Sequence, residues 1–160
     1  MIKQLFIDLS SLIYPNLCIG CGNGLVTGEN FICYRCLVGM PRTHFHLVTG
    51  NPLEQIFWGR VPIEKATSWF FFQKGSNYQH LLHHLKYKGL REIGVELGRI
   101  FGTELMVTNY FKDVDVIIPV PLHPKKEKKR GYNQSLAIAE GMSQQLKIPI
   151  DSQILIRQYY

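Results

Sequence analysis

Asp115-Val116-Ile117-Ile118-Pro119-Val120-Pro121-Leu122-His123-Pro124-Lys125-Lys126-Glu127-Lys128-Lys129-Arg130-Gly131-Tyr132-Asn133-Gln134-Ser135 is the stretch that decides the reading of this 160-residue chain. Val114 to Val120 is short, apolar and rich in β-branched residues, which predicts a buried strand. Pro119 and Pro121 carry the chain out of it as a rigid, extended turn. Five cations follow, Lys125, Lys126, Lys128, Lys129 and Arg130, with Glu127 as the acid among them. Gly131 then leads to Asn133, a side chain suited to cap the next helix. In open parallel sheets, ligands bind beyond the carboxyl ends of the strands. A helix start beside Lys129 and Arg130 offers an anion both free amides and charge-assisted hydrogen bonds. The reading is an anion site, for phosphate or pyrophosphate; the competing one is a basic surface that is merely solvated.

Outward from this stretch the pattern is α/β. Residues 63–72 read as a strand ending in Trp69-Phe70-Phe71-Phe72. Residues 77–87 and 91–107 carry apolar residues at helical spacing, broken at Gly89, and 133–146 form a further helix. Residues 153–157 read as the start of another strand. The order of strands and helices predicts a parallel sheet with flanking helices. Lys86, Lys88 and Arg91 make a second basic patch, which reads first as an exposed helix end and second as a nucleic-acid surface. His80, His83 and His84 share a helix face, but no acid or cysteine stands beside them, so packing outweighs a ligand role.

Upstream, Cys18-x-x-Cys21 and Cys33-x-x-Cys36 account for all four cysteines, eleven residues apart in a glycine-rich segment. Four thiolates at about 2.3 Å hold a structural zinc ion, and a Cys-x-x-Cys turn lets two sulfurs converge on it. Gly22 eases the turn after the first pair. The alternative is a pair of disulfides or redox-active dithiols. Disulfides are disfavoured in a cytoplasmic chain, and a thioredoxin-type site uses one such pair near a βαβ unit. With four thiolates and no open position, the zinc is structural and not catalytic.

The N-terminal residues MIKQLFIDLSSLIYP carry apolar side chains at amphipathic spacing, interrupted by Lys3, Gln4 and Asp8 and stopped by Pro15. That predicts a packed helix, not a secretory leader or a membrane span, and places the chain in the cytoplasm. Four segments result: an amphipathic helix over 1–14, a zinc ribbon over 15–42, a linker over 43–62 and an α/β part over 63–160. Hydrophobic residues are 46% and charged residues 19%, so a core can form and disorder is excluded. The net charge of +6 favours anionic partners: nucleic acid, nucleotides, phosphorylated metabolites or an acidic protein.

Pro15-x-x-Cys18-x-x-Cys21-Gly22, Cys33-x-x-Cys36, Leu81 to Gly89 (LLHHLKYKG) and Pro119-Val-Pro-Leu-His with Arg130-Gly-Tyr-Asn-Gln-Ser135 follow one another in this order. Together they resemble the ComF family, cytoplasmic competence proteins in which a zinc ribbon precedes a type I phosphoribosyltransferase-like domain. The resemblance implies that LLHHLKYKG lies near the hood of that domain. It makes Pro121, Leu122 and His123 the pyrophosphate-binding loop, and Lys125–Arg130 a mobile loop closing over phosphoribosyl pyrophosphate and its Mg²⁺. Lys129, Arg130, Gly131, Asn133 and Gln134 then complete the phosphate-binding residues. It further implies a role in DNA uptake during natural transformation, beside a helicase-like partner. The chain departs from the family pattern in lacking two adjacent acids followed by a Thr-Thr-Gly turn, the motif that grips the ribose phosphate. Residues 63–160 are therefore expected to be the first part of a truncated phosphoribosyltransferase-like domain, without transferase activity in this form. The alternative function is a non-catalytic zinc-ribbon module that holds single-stranded DNA or a competence partner.

Overall fold

The computed structural model describes residues 15–87, 89–108 and 110–159. The helix expected over 1–14 lies outside the described residues. The chain divides into two compact units. One takes in the chain up to Met40 together with Phe72–Leu82; the other takes in Pro41–Phe71 and His83–Tyr160.

The expected parallel sheet is not there. Among the described residues no strand forms, and extended pairing is reduced to three isolated bridges, Leu17 with Gly24, Arg42 with Phe70, and Ile117 with Ile150. Only the last is parallel: the Ile117 amide donates to Pro149 O at 2.9 Å, and the Asp151 amide donates to Ile117 O at 3.1 Å. Pro119, Pro121 and Pro149 have no N–H to extend this ladder. The aromatic stretch before residue 72 meets a similar limit. Phe71 N donates to Pro41 O at 2.8 Å and Thr43 N to Trp69 O at 3.1 Å, an antiparallel contact that stops where Pro41 has no donor to return. Residues 153–157 are irregular. An apolar, β-branched run becomes a strand only if a partner segment supplies consecutive donors and acceptors, and here neither run finds one.

Three of the helices fall where the sequence predicted them, in 77–87, 91–107 and 133–146, and three form in segments read as zinc ribbon, linker and loop. The helices are α1 (Tyr34–Val38), α2 (Pro52–Phe57), α3 (Asn77–Tyr87), α4 (Arg91–Val107), α5 (Pro124–Arg130) and α6 (Gln134–Leu146), with a 3-10 turn at Phe45–Leu47. The break between α3 and α4 falls at Gly89, whose φ of 69° is in the left-handed region. Helix α3 contributes its residues through Leu82 to the first unit and the rest to the second.

In the second unit, α4 and α6 make the principal helix–helix contact. Helix α4 presents Gly94, Gly98 and Gly102 at four-residue spacing, and α6 presents Ala137 and Gly141. A Cβ on Gly98 would stand 2.0 Å from Ile138 O, and one on Gly141 would stand 2.0 Å from Val95 O. The two backbones touch, which only glycine permits. Leu85, Tyr132 and Ala137 bury together beside this crossing, with Val95 and Ile138 packed against them. The Tyr132 hydroxyl donates to Leu85 O, satisfying a carbonyl in the last turn of α3.

The segment read as a linker carries the 3-10 turn, α2 and a buried polar node. Asn51, 1% exposed, caps α2 by accepting from the amides of Leu53 (2.9 Å) and Glu54 (3.1 Å). Its Nδ2 donates to the carbonyls of Phe45, Val48 and Ala66. The Glu54 carboxylate accepts from Gly50 N, Ala66 N and the Tyr110 hydroxyl, the last at 2.7 Å. Nearby, Trp69 stacks on Phe101 with centroids 5.4 Å apart, and its Nε1 and Arg42 both donate to Glu104.

Candidate metal centre and the Pro119–Arg157 concavity

The first unit is built around the four cysteines. The bridge between Leu17 and Gly24 closes the first knuckle, with Cys18 N donating to Asn23 O and Gly22 N to Cys18 O, both at 2.8 Å. Gly22 takes φ 76°, the conformation the sharp turn after Cys21 requires. The second knuckle is a helix start: Cys33 caps α1 and Cys36 lies inside it. Ile19 N donates to Phe31 O, tying one knuckle to the other, and Glu29 accepts from the amides of Val26 and Tyr34 to brace the loop between them. Those two amides, Tyr34 first, hold the Glu29 carboxyl below the usual range.

The four Sγ atoms all lie within 4.8 Å of one another, and Cys21 Sγ is 3.7 Å from Cys33 Sγ. Four sulfurs each about 2.3 Å from a tetrahedral ion stand roughly 3.8 Å apart, so the cage has the size of a zinc site. None of the four is in a disulfide. Cys18, Cys33 and Cys36 are buried, and Gly20 leaves room for them, since a Cβ there would meet Cys36 Sγ at 3.1 Å.

The amide of Cys33 donates to Cys18 Sγ (3.2 Å) and that of Cys36 to Cys33 Sγ (3.4 Å). Burial opposes ionisation of Cys18, but the amides of Cys33, Cys21 and Gly20 outweigh it and bring that thiol down to about 7. At Cys33 the Cys36 amide favours the thiolate, yet burial and the Cys18 and Cys21 sulfurs prevail and push the thiol up. Burial, then the other three sulfurs, drive Cys36 up further. Four thiolates so close need a cation among them, and these residues can hold a metal such as zinc.

The second unit holds the stretch from Asp115 to Ser135. Residues 124–130 form α5, whose N-cap is His123: its Nδ1 accepts from Lys125 N at 3.2 Å. Gly131, φ 87°, terminates α5. Asn133 caps α6 as expected, accepting from Ser135 N at 2.9 Å, and its Nδ2 donates to Val120 O at 3.1 Å. That bond pins the Pro119–Pro121 turn against the start of α6.

A concavity of about 230 Å³ opens there, lined by Pro119, Pro121, Leu122, Pro124, Glu127, Asn133, Leu136, Ser152, Leu155, Ile156 and Arg157. Of the expected phosphate-binding residues, Pro121, Leu122 and Asn133 come together on its wall. His123, Lys129, Arg130, Gly131 and Gln134 do not line it. Arg130 instead donates to Gln134 Oε1 at 2.9 Å, and Lys129 is exposed on α5. The contribution of 152–157 was not legible in the sequence, where the only signal was the apolar triplet Ile154-Leu155-Ile156 read as a strand.

The molecule therefore combines a four-cysteine metal-holding module with a helical unit that carries a cationic helix beside a small concavity. Sequence comparison supplies relatives of which the chain spans about two thirds. The chain is 28% identical over 165 residues to proteins named DNA utilization protein YhgH from Escherichia coli strain K12 and from Shigella flexneri, covering 91% of this chain and 68% of theirs. The Salmonella typhimurium protein of the same name is 26% identical over the same extent. No family model matches the chain, and no solved structure matches it. Among the described residues no helix is long and apolar enough to cross a membrane.

Proposed function

We propose that this chain is a zinc-stapled protein of DNA uptake that holds single-stranded DNA in the cytoplasm. The observation that carries the reading is the alignment over 91% of the chain with proteins named for DNA utilization. The cysteine cage supports a structural metal, and the exposed Lys125, Lys128 and Lys129 of α5 support contact with phosphates. The zinc-loaded chain should bind a labelled oligonucleotide without sequence preference, with affinity that falls steeply as salt rises. Absence of binding at low salt would remove the reading. A competence helicase-like protein is the partner this role calls for.

A second reading, that the chain binds phosphoribosyl pyrophosphate with Mg²⁺, is favoured by the meeting of Pro121, Leu122 and Asn133 on one concavity. Calorimetric titration with that compound, with and without Mg²⁺, tests it: absence of a heat of binding would remove the reading. The chain on this reading has no transferase activity, since it carries no Asp-Asp/Thr-Thr-Gly motif.

A further inference from the structure

We infer that the Pro119–Arg157 concavity receives one unstacked base of a single DNA strand, while the exposed lysines of α5 hold the adjoining phosphates. The inference rests on the single-strand reading above and gives it a site. The walls of the concavity are Pro119, Pro121, Leu122 and Leu136, an apolar and rigid set. Prolines and leucines of this kind give van der Waals contact to a flat heterocycle without demanding any particular pattern of donors. Its polar groups are Asn133 and Ser152 with the oppositely charged Glu127 and Arg157. One cation and one carboxylate can donate to and accept from the edge of a base. At about 230 Å³ the space falls below the roughly 300–1,000 Å³ of pockets that enclose a cofactor-sized ligand, which suits a single ring system.

Charge complementarity supplies the second half of the argument. On α5, Pro124 and Glu127 face the concavity, while Lys125, Lys128 and Lys129 are exposed. Spacing of three and four residues puts these three lysines in one stripe on the helix surface, beside the concavity-lining side. A polyanion lying along that stripe passes the mouth of the concavity. The geometry is that of a strand whose backbone is held by ammonium groups and whose base turns inward against an apolar wall.

The test uses the zinc-loaded full chain and two probes in fluorescence anisotropy, an oligo-thymidine strand and an abasic strand of equal length, each followed with rising salt. The thymidine strand should bind about tenfold more tightly than the abasic one, the order expected for burying one base against an apolar wall. Ser152→Leu, at an exposed position on the rim, should reduce that difference by filling the space. Lys125→Glu with Lys128→Glu and Lys129→Glu should weaken both strands and flatten the salt dependence. Equal binding of the thymidine and abasic strands would overturn the base site while leaving the single-strand reading standing. Failure of both strands to bind at low salt would overturn the two together.

Discussion

Replacing Gly98 by alanine tests whether the helix crossing is as tight as the structure has it. Alanine is the better helix former by about 1 kcal/mol, so a loosely packed crossing would be stabilised. Here, however, the new methyl would stand 2.0 Å from Ile138 O, with Ile138 C at 2.9 Å and Cα at 3.1 Å. Ordinary separation is about 3.5 Å, so α4 and α6 must part by more than 1 Å along that line, and the atom in the way is backbone and cannot rotate aside. Overpacking a core costs about 1–3 kcal/mol, and a backbone clash belongs at or beyond the upper end. The expected net loss is about 2 kcal/mol, a large share of the roughly 5–15 kcal/mol by which domains are stable. In urea unfolding followed by circular dichroism the midpoint should fall by about 1 M. Gly102→Ala is the internal comparison: its methyl would stand 3.0 Å from Met142 Cα and 3.2 Å from Gln145 Cβ, so its loss should be smaller. A Gly98→Ala midpoint equal to or above that of the parent, or a larger loss for Gly102→Ala, would refute the close crossing.

The remaining predictions concern the metal cage and the buried polar groups. Cys36→Ser should abolish the one-to-one zinc content measured by atomic emission after dialysis, and chelation of the parent should unfold the module that carries the cysteines, since metal binding and folding are coupled in such sites. Retention of stoichiometric zinc by the variant would exclude Cys36 as a ligand. Tyr110→Phe leaves Glu54 without its 2.7 Å hydrogen bond and should cost about 1.5–3 kcal/mol in chemical denaturation. The Tyr110 hydroxyl itself is pushed up to about 12, by burial first and then by Glu54. Tyr110, more than the amides of Ala66, Gly50 and Asn51, holds the Glu54 carboxyl below its usual range against burial. Its contribution to stability is therefore present above about pH 4.3 and is lost as pH falls through the lowered folded value. His46 adds a second acid sensitivity. It is buried, its Nδ1 has no hydrogen-bond partner, and burial, opposed by Glu104 and aided by His44 and Arg42, lowers its pKa. Protonation thus favours the unfolded chain, so stability should begin to fall below about pH 6.5. His46→Phe should flatten the stability profile between pH 6.5 and 5, and an unchanged slope would contradict the burial of a neutral ring.

The sequence by itself determined what depends on neighbours a few residues away. Cys-x-x-Cys spacing places two sulfurs on one turn whatever surrounds them, so all four candidate ligands were identifiable before any fold was known. The apolar spacing of 77–87 and 91–107, the break at Gly89 and the cap at Asn133 are likewise local, and the helices start and stop accordingly. The strands expected at 63–72 and Val114–Val120 could not be settled that way, because a strand exists only through donors and acceptors on a distant segment, and prolines in the pairing segments remove them. Glycines 94, 98, 102 and 141 carry no side chain to announce a contact; only the meeting of α4 and α6 gives them a purpose. Asn51, Glu54 and Tyr110 read as ordinary polar residues until a span of 56 residues closes to bring Tyr110 onto Glu54. The concavity likewise draws on 119–136 and 152–157 together, residues that share a wall only because the chain returns past Ile117 at Ile150. Local geometry is encoded at short range, whereas burial, pairing and cavities are properties of what the rest of the chain places opposite.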